Sequence, residues 1–438
     1  MLIRLIICLV IMGITIWRSE AGLAASIQAF LIKSAFEPPD YSYGPKEVVQ
    51  DNDLISVIIP LIVFAIILFK KLRKNETYSF KFIDLAFIAM GGILLIGSLY
   101  SPLQGKALMV TAKYYSLGIS FYFIARLYLS KHPHYQIALR NFLNMTWLIA
   151  LVLGLFAFIQ SWGMEYARLK LGAAVPIPFS LLLAIGVLIN FSWFLFHKSS
   201  FWLRVLQIIS FGTLLFIFID TNTRGTIIAL GISIIFLSAI YMINHKQWGK
   251  VMLFIPLLVL GVLIINYINP DLTKRVTSNL ELITSHDQGE SINNRQSAYS
   301  DAWKLFNDNP YLGVGTGDFE EHSQLAYPHN VFLEIMAENG IVGMICLVAL
   351  YIATIAYILK ICAYRSPITY VIAAVVLLNL IEMQFSFTLW MHKSFYLFCG
   401  VLVSSYYQVQ RVARSEKKSV APMRSSSRFI STSPVKMR

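Results

Sequence analysis

The sequence predicts an all-α polytopic integral membrane protein with about 12 transmembrane helices and a helical non-cytoplasmic loop between spans 9 and 10. Of its 438 residues, 57% are hydrophobic and only 13% are charged, against roughly 45–50% and about 25% in soluble domains. So few charges cannot cover the surface of a soluble fold. Apolar runs of bilayer length then recur along the chain. The same composition excludes a disordered chain, a collagen-like chain and a disulfide scaffold.

Twelve apolar runs are long enough to span a bilayer, and they lie at 1–17, 54–69, 82–99, 108–128, 140–162, 175–197, 201–219, 226–245, 251–268, 331–359, 367–383 and 389–407. The first run also fits a signal peptide, because Arg4 precedes it and small residues follow it; we favour a retained span. Residues 21–36 are interpreted as an interfacial helix, with a re-entrant segment or an extra span as alternatives.

The net charge of +13 indicates how the chain is oriented. If the N-terminus is inside, most Lys and Arg residues fall in the inside loops and the tail, and most acids fall outside. The positive-inside rule therefore predicts that both termini are cytoplasmic. A basic excess that sets topology gives no reason to expect nucleic acid as a partner.

Four regions follow from this topology: transmembrane helices 1–9 over residues 1–268, an extracytoplasmic loop over 269–330, transmembrane helices 10–12 over 331–408, and a disordered basic tail over 409–438. A loop of that length is usually functional. The four cysteines lie in or beside spans, without CxxC spacing and outside the long loop. We therefore expect no disulfide or thiolate metal site there.

The first candidate site residue is Arg224, in the short outside turn DTNTRG at 220–225. It stands where a helix enters the membrane. Its guanidinium either snorkels to lipid headgroups or binds a phosphate held at the membrane surface, since its planar fork can bond two oxygens.

The second candidate is Arg295, in the stretch SINNRQSAYSDAWKLF at 291–306. Helical spacing places Arg295 on an apolar stripe with Ala298, Tyr299, Ala302, Trp303 and Phe306. An arginine that faces inward needs an anionic partner. That partner is either a structural carboxylate or a ligand phosphate.

The third candidate is His329, in the segment Tyr327-Pro-His-Asn330 that precedes span 10. Asn330 is a plausible N-cap, so the helix dipole would keep the imidazole of His329 neutral. A neutral imidazole at the membrane edge can accept a proton, although a lone histidine is more often structural. Glu334 and Glu338 occupy the first turns of the helix.

Other polar groups are interpreted as structural. The glycines at 313, 315 and 317 indicate a tight loop that approaches another element, and a phosphate-binding nest is the weaker alternative. Glu382, His392 and Lys393 flank the last outside turn, where interfacial anchoring is favoured over a role in the same cavity. The histidine spacing gives no reason to expect a metal.

Three sequence stretches together resemble the O-antigen ligase family, a superfamily of membrane glycosyltransferases. They are the Thr-Arg-Gly turn at 223–225, NPYLGVGTGDF at 309–319 and YPHNVFLEIMAENGIVG at 327–343. The family includes both ligases and polymerases.

This resemblance implies transfer of a glycan from undecaprenyl diphosphate to an acceptor hydroxyl, without cofactor or metal. The implied ligase acceptor is lipid A-core, and the site faces the periplasm from the bacterial inner membrane. His329 is the expected base, and Arg224 and Arg295 are expected to bind the diphosphate. Glu334, Tyr299 and Arg168 are secondary candidates. Further partners are membrane lipids.

Two other functions compete with the ligase. A surface-polysaccharide polymerase uses the same donor but a lipid-linked repeat as acceptor. A transporter or flippase would place its polar groups near the bilayer midplane, whereas here they cluster at one face.

Overall fold

The computed structural model describes residues 2–37, 54–73, 78–162, 164, 168–197, 200–246, 248–249, 251–252, 263, 266–267 and 290–420. Every regular element in these ranges is helical. In chain order the helices are α1 Leu2–Trp17, α2 Ser19–Ile27, α3 Ala29–Ser34, α4 Leu54–Leu72, α5 Phe82–Tyr100, α6 Gln104–Lys113, α7 Ser120–Leu129, α8 Tyr135–Gln160, α9 Pro176–Phe196, α10 Phe201–Asp220, α11 Arg224–His245, α12 Glu290–Asp308, α13 Val331–Cys362, α14 Pro367–Glu382 and α15 Lys393–Val420.

Within the described ranges, six helices are long and apolar enough to cross a membrane: α5, α8, α9, α10, α11 and α13. The shorter α1 and α14 are also apolar. These helices confirm a polytopic all-α membrane protein. Most of the predicted run 251–268 falls outside the described residues. Helix α9 is the central one, with 83% of its span buried, whereas only 17% of α10 is buried.

The interfacial helix predicted for residues 21–36 is wrong. This segment forms α2 and α3, and most of its residues are buried among other helices. At its start Glu20 accepts a hydrogen bond from Asn141 at 3.1 Å, and at its end Ala35 accepts one from Gln160 at 2.8 Å. Asn141 and Gln160 lie about 28 Å apart along α8. The segment therefore runs across the bundle beside α8.

Relative to α4, helix α1 consequently runs in the opposite direction from the one predicted. Lys70, at the end of α4, donates hydrogen bonds to the carbonyls of Thr15 and Ile16 at the end of α1, both at 3.0 Å. Helices α1 and α4 are therefore parallel. The predicted topology omitted the crossing at 19–34 and therefore made α1 and α4 antiparallel; the cytoplasmic location of the two termini stays a prediction. Polar residues and a break at Gln28 hide that crossing from a search for apolar runs.

The disordered tail predicted from residue 409 begins too early. Helix α15 continues to Val420, so 409–420 are helical, and 421–438 lie outside the described residues. Gln408 helps to hold this part of α15, since its side chain donates to the carbonyl of Leu129 at 3.0 Å.

A kink in α13 provides the seat for the glycine-containing loop at 309–317. Gly340 has φ 59° inside the helix, and a Cβ there would overlap the backbone of Tyr311. Around the kink, Val314 donates its N–H to the carbonyl of Ala337 at 3.0 Å, and Ile341 donates to Pro310 at 2.9 Å. The loop therefore satisfies backbone groups that the kink frees, in agreement with a tight loop.

Candidate active site

Arg224 begins α11, directly after the turn at 220–223. The turn is held by the hydroxyl of Thr221, which donates to the carbonyl of Phe218 at 2.7 Å. The next residue, Gly225, packs so closely on Phe385 that an added Cβ would lie 2.5 Å from the Phe385 Cβ. Arg224 therefore stands where the α10–α11 turn meets the segment after α14.

His329 lies immediately before α13 and beside the same segment. The side chain of Asn330 accepts hydrogen bonds from the second and third amides of α13, at 3.0 and 3.1 Å, which confirms the predicted N-cap. Val331 donates its N–H to the carbonyl of Met383 at 3.1 Å. The backbone of His329 has φ 56°, a left-handed conformation that costs about 1 kcal/mol or more. The cap and this packing hold His329 in that conformation.

Arg295 projects from α12 beside a narrow stripe of small residues. Ala298 and Ala302 are fully buried, Leu305 is nearly so, and the stripe packs on the start of α13. Trp303, which the sequence placed on this stripe, is instead 56% exposed. The alanines let α12 approach α13 closely, and the large indole lies outside that contact.

The guanidinium of Arg295 is partly buried beside two charged groups. Burial lowers its pKa, the Glu382 carboxylate acts in the opposite direction, and the positive charge of Arg224 lowers it further. Among the described residues, none forms a hydrogen bond or an ion pair with Arg295. Tyr299 lies one turn further along α12, partly buried. The structure therefore brings Arg295 and Arg224 together without an ion pair to Arg295.

Arg168 approaches the same place from the loop before α9. Its neighbour Leu169 donates an N–H to the carbonyl of Asp220 at 3.0 Å, which fastens this loop to the α10–α11 turn. Partial burial and the charges of Arg224 and Arg295 lower the pKa of Arg168. Three arginines thus share one site.

His329 is neutral in this environment. Burial and the charge of Arg295 lower its pKa to about 3. Its Nδ1 atom is buried and has no hydrogen-bond partner among the described residues. The ring centroid of Tyr327 lies 4.5 Å from that of the imidazole. His329 therefore has a nitrogen free to accept a proton, next to a concentration of positive charge.

Residues 209–348 match the family model described as O-antigen ligase. This stretch, the O-antigen ligase segment, is therefore similar to that family. No curated protein matches the chain.

The O-antigen ligase segment contains three of the converging residues, Arg224, Arg295 and His329. Arg168 and Glu382 lie outside it, on either side in the sequence. The match therefore agrees with the resemblance seen in the three sequence stretches, and the structure places two further charged groups against those stretches.

Glu334 and Glu338 have structural partners inside the O-antigen ligase segment. Glu334 accepts hydrogen bonds from the hydroxyl of Thr388 and, at 3.1 Å, from the N–H of Leu389. Glu338 accepts from the N–H of Gly317 at 2.8 Å. Glu334 therefore joins α13 to the turn before α15. A protein carboxylate also occupies an amide of the glycine-containing loop, which disfavours the phosphate-nest alternative.

The interfacial role predicted for Glu382 and His392 is wrong. Both side chains are buried, Glu382 at 0% exposure and His392 at 1%. One carboxylate oxygen of Glu382 accepts from Thr226 at 3.1 Å, and the other has no partner among the described residues. His392 pairs with the carbonyl of Ser386 at 3.0 Å. Glu382 was missed because a lone acid at the end of an apolar run looks like an anchor.

No metal centre is visible in the part of the chain that the structure describes. Within those residues, no three His, Cys, Asp or Glu side chains are placed to hold an ion together. His322 pairs instead with Asp318 at 3.1 Å.

Proposed function

We propose that the protein is a membrane glycosyltransferase that moves a glycan from undecaprenyl diphosphate to an acceptor hydroxyl. Within the O-antigen ligase family, we assign it to the ligases, with lipid A-core as acceptor. Transfer takes place at the outer face of the bacterial inner membrane. The part of the predicted loop 269–330 that the structure describes, residues 290–330, forms the catalytic end of the molecule together with the α10–α11 turn.

Arg295 supports this proposal most directly. Its charge lies beside Arg224 and Arg168 and makes no ion pair with a described residue. A group of cations held in a partly buried place favours an anionic ligand, because the alternative is mutual repulsion with little compensation from solvent. A diphosphate supplies several oxygens, and each planar guanidinium can bond two of them.

The proposed reaction exchanges one C–O bond at the anomeric carbon for another and transfers one proton. The oxygen of the acceptor hydroxyl attacks the anomeric carbon, and the bond between that carbon and the diphosphate oxygen breaks. His329 takes the hydroxyl proton, and the lipid diphosphate leaves with the electron pair. Arg224, Arg295 and Arg168 stabilise the charge that develops on it, so the reaction needs no metal or other cofactor.

The low pKa of His329 fits this sequence of events. Burial, together with the charge of Arg295, keeps the imidazole neutral before the donor binds. An anionic diphosphate next to Arg295 offsets that charge and raises the pKa of His329. The donor therefore makes the imidazole a stronger base at the moment when a proton must be accepted.

The same proposal fixes the topology. We place the end of the bundle that holds Arg224 and His329 in the periplasm, and the end that holds Lys70 and Arg126 in the cytoplasm. Reversal of α1 moves Arg4 to the outside and Arg18 to the inside, so the positive-inside balance is kept. The crossing at 19–34 then adds one further membrane-spanning segment to the twelve predicted spans.

Transfer by the reconstituted protein tests the proposal. Purified full-length protein in proteoliposomes, given a lipid-linked glycan and lipid A-core, should glycosylate the acceptor and release one undecaprenyl diphosphate per glycan transferred. In cells that lack the activity, accumulation of lipid-linked polymer identifies a ligase, and accumulation of single lipid-linked repeats identifies a polymerase. Movement of the lipid-linked glycan across the bilayer without any transfer would overturn the proposal in favour of a flippase.

A further inference from the structure

A second basic site lies at the other end of the bundle, opposite the three arginines. A cavity there is enclosed by the segment before α5, the end of α7 and the second half of α15. Four basic residues line it, namely Lys81, Arg126, Lys131 and Arg411, and none of its ten lining residues is acidic. The proposed glycosyl transfer uses none of them.

The innermost base, Arg126, already has its partner. Its Nε and Nη2 donate to the two carboxylate oxygens of Asp84 at 3.1 and 3.2 Å, and both side chains are buried. Tyr122 donates to the same carboxylate. This buried pair is therefore electrically balanced and forms the floor of the cavity. An incoming anionic ligand would therefore bind the basic residues nearer the opening.

Nearer the opening lie Lys81, whose backbone N–H donates to the Asp84 carboxylate at 2.7 Å, and Arg411. The ammonium of Lys81 donates to the hydroxyl of Ser79 at 2.8 Å and lies 4.8 Å from the ring centroid of Tyr407. Arg411 is exposed, one turn further along α15. Neither forms an ion pair with a residue in the described ranges. Two cations therefore flank the opening with donors available for an anion.

The position and lining of the cavity indicate what kind of anion it fits. Phosphates of anionic lipids lie at the level where helices leave the membrane, and basic residues at that level are attracted to them. The rings of Tyr78 and Tyr407 and the aliphatic stems of the basic side chains add apolar surface. Free phosphate gains nothing from such surface, whereas the glycerol and first methylenes of a lipid do.

We propose that this cavity binds the phosphodiester headgroup of an anionic lipid from the cytoplasmic leaflet, with Lys81 and Arg411 as its principal ligands. The lipid is bound between α5, α7 and α15 and stabilises their packing. The choice of the cytoplasmic leaflet rests on the topology proposed above, whereas the binding of an anionic lipid by this cavity does not depend on glycosyl transfer.

Native mass spectrometry of the full-length protein tests the inference. In detergent with equal phosphatidylglycerol and phosphatidylcholine, the wild type should retain phosphatidylglycerol preferentially. The double variant Lys81→Gln/Arg411→Gln should bind it about tenfold or more weakly. The control Arg73→Gln/Arg414→Gln makes the same charge change at exposed residues outside the cavity and should bind as the wild type does.

Two further measurements complete the test. Lys81→Arg keeps the charge and should retain the lipid, so a folding defect in the double variant is recognised by this comparison and by its melting temperature without lipid. Equal losses in the double variant and its control would overturn the inference. So would retention of phosphatidylcholine at the level of phosphatidylglycerol. Protection of the wild type by inorganic phosphate alone, without lipid retention, would assign the cavity to free phosphate instead.

Discussion

The hydroxyl of Thr226 donates a hydrogen bond to the carboxylate of Glu382 at 3.1 Å, across 156 residues of sequence. Both groups are fully buried. This bond joins the start of α11, where Arg224 lies, to the end of α14. Because Met383 in turn accepts from the first amide of α13, the same contact region also positions His329. Glu382 therefore connects the part of the site that holds Arg224 to the part that holds His329.

Two substitutions of Glu382 separate the contribution of its charge to stability from that of its volume and its bond to Thr226. Glu382→Gln keeps the volume and an oxygen for Thr226, so the melting temperature should change little. Glu382→Ala removes the acceptor and leaves a cavity, and it should lower the free energy of unfolding by about 1–3 kcal/mol. Thermal unfolding in detergent measures both. Equal destabilisation by the two variants would show that the bond to Thr226 contributes nothing.

Arg295 should be more important for activity than for stability. Arg295→Gln removes a partly buried charge that has no ion-pair partner among the described residues, so unfolding should be unaffected or slightly harder. Glycan transfer should fall by about 10²–10³-fold, the usual loss when one stabilising donor is removed. Lys304→Gln, on the exposed face of the same helix, is the control and should alter neither. A strong loss of stability in Arg295→Gln would indicate a structural role instead.

Gly340, at the kink of α13, should not tolerate replacement by a residue with a side chain. Gly340→Ala forces φ 59° on a residue with a Cβ and drives that atom into the backbone of Tyr311, so it should destabilise the protein by about 1–3 kcal/mol. Gly231→Ala in α11 has open space around the new methyl and should be neutral or stabilising. The difference in melting temperature between the two variants measures the effect. A neutral Gly340→Ala would mean that the 309–317 loop does not need this kink.

The sequence predicted the helices whose apolar runs are long, because burial in lipid demands that length. The resemblance to the O-antigen ligase family predicted that Arg224, Arg295 and His329 act together, and in the structure the charge of Arg295 is close enough to His329, and that of Arg224 to Arg295, to lower their pKa values. The sequence did not predict the crossing at 19–34. There, partly buried polar groups such as Glu20 are satisfied by partners far away in the chain, and no local pattern records such partners.

Glu382 illustrates the same limit at the site. In the sequence it is a single acid beside an apolar run, and only tertiary packing places it against Thr226 and near Arg295. Trp303 shows the opposite error, since it was predicted to face inward and is exposed. Helical spacing put it on the inner stripe, but the small side chains of Ala298 and Ala302 decide which face packs, because they allow the closest approach of α13.

The pH dependence of the free energy of unfolding should report the environment of His329. Its pKa is about 3 in the folded protein and about 6.5 when unfolded. Between these values the unfolded chain binds the extra proton, so stability is fully present above about pH 6.5 and is lost as the pH falls. From pH 6.5 to pH 5 this one site should cost about 2 kcal/mol. His329→Gln should lack that part of the loss, whereas His392, whose pKa is lowered in the same direction, contributes equally to both proteins. Parallel curves for wild type and variant would contradict a buried neutral His329.

Catalysis should show a different pH dependence from folding, because the donor changes the charge beside His329. The acid limb of kcat/KM reports groups in the free enzyme, and that of kcat reports the enzyme with substrate bound. Since the diphosphate offsets the charge of Arg295, the pKa of His329 rises on binding, and the acid limb of kcat should lie at higher pH than that of kcat/KM. His329→Gln should reduce kcat by about 10²–10⁴-fold and abolish this acid limb. In Arg295→Gln the two limbs should move closer together, because the charge that the donor neutralises is already gone. Coincident limbs in the wild type would rule out electrostatic coupling between the donor and His329, and full turnover by His329→Gln would rule out His329 as the base.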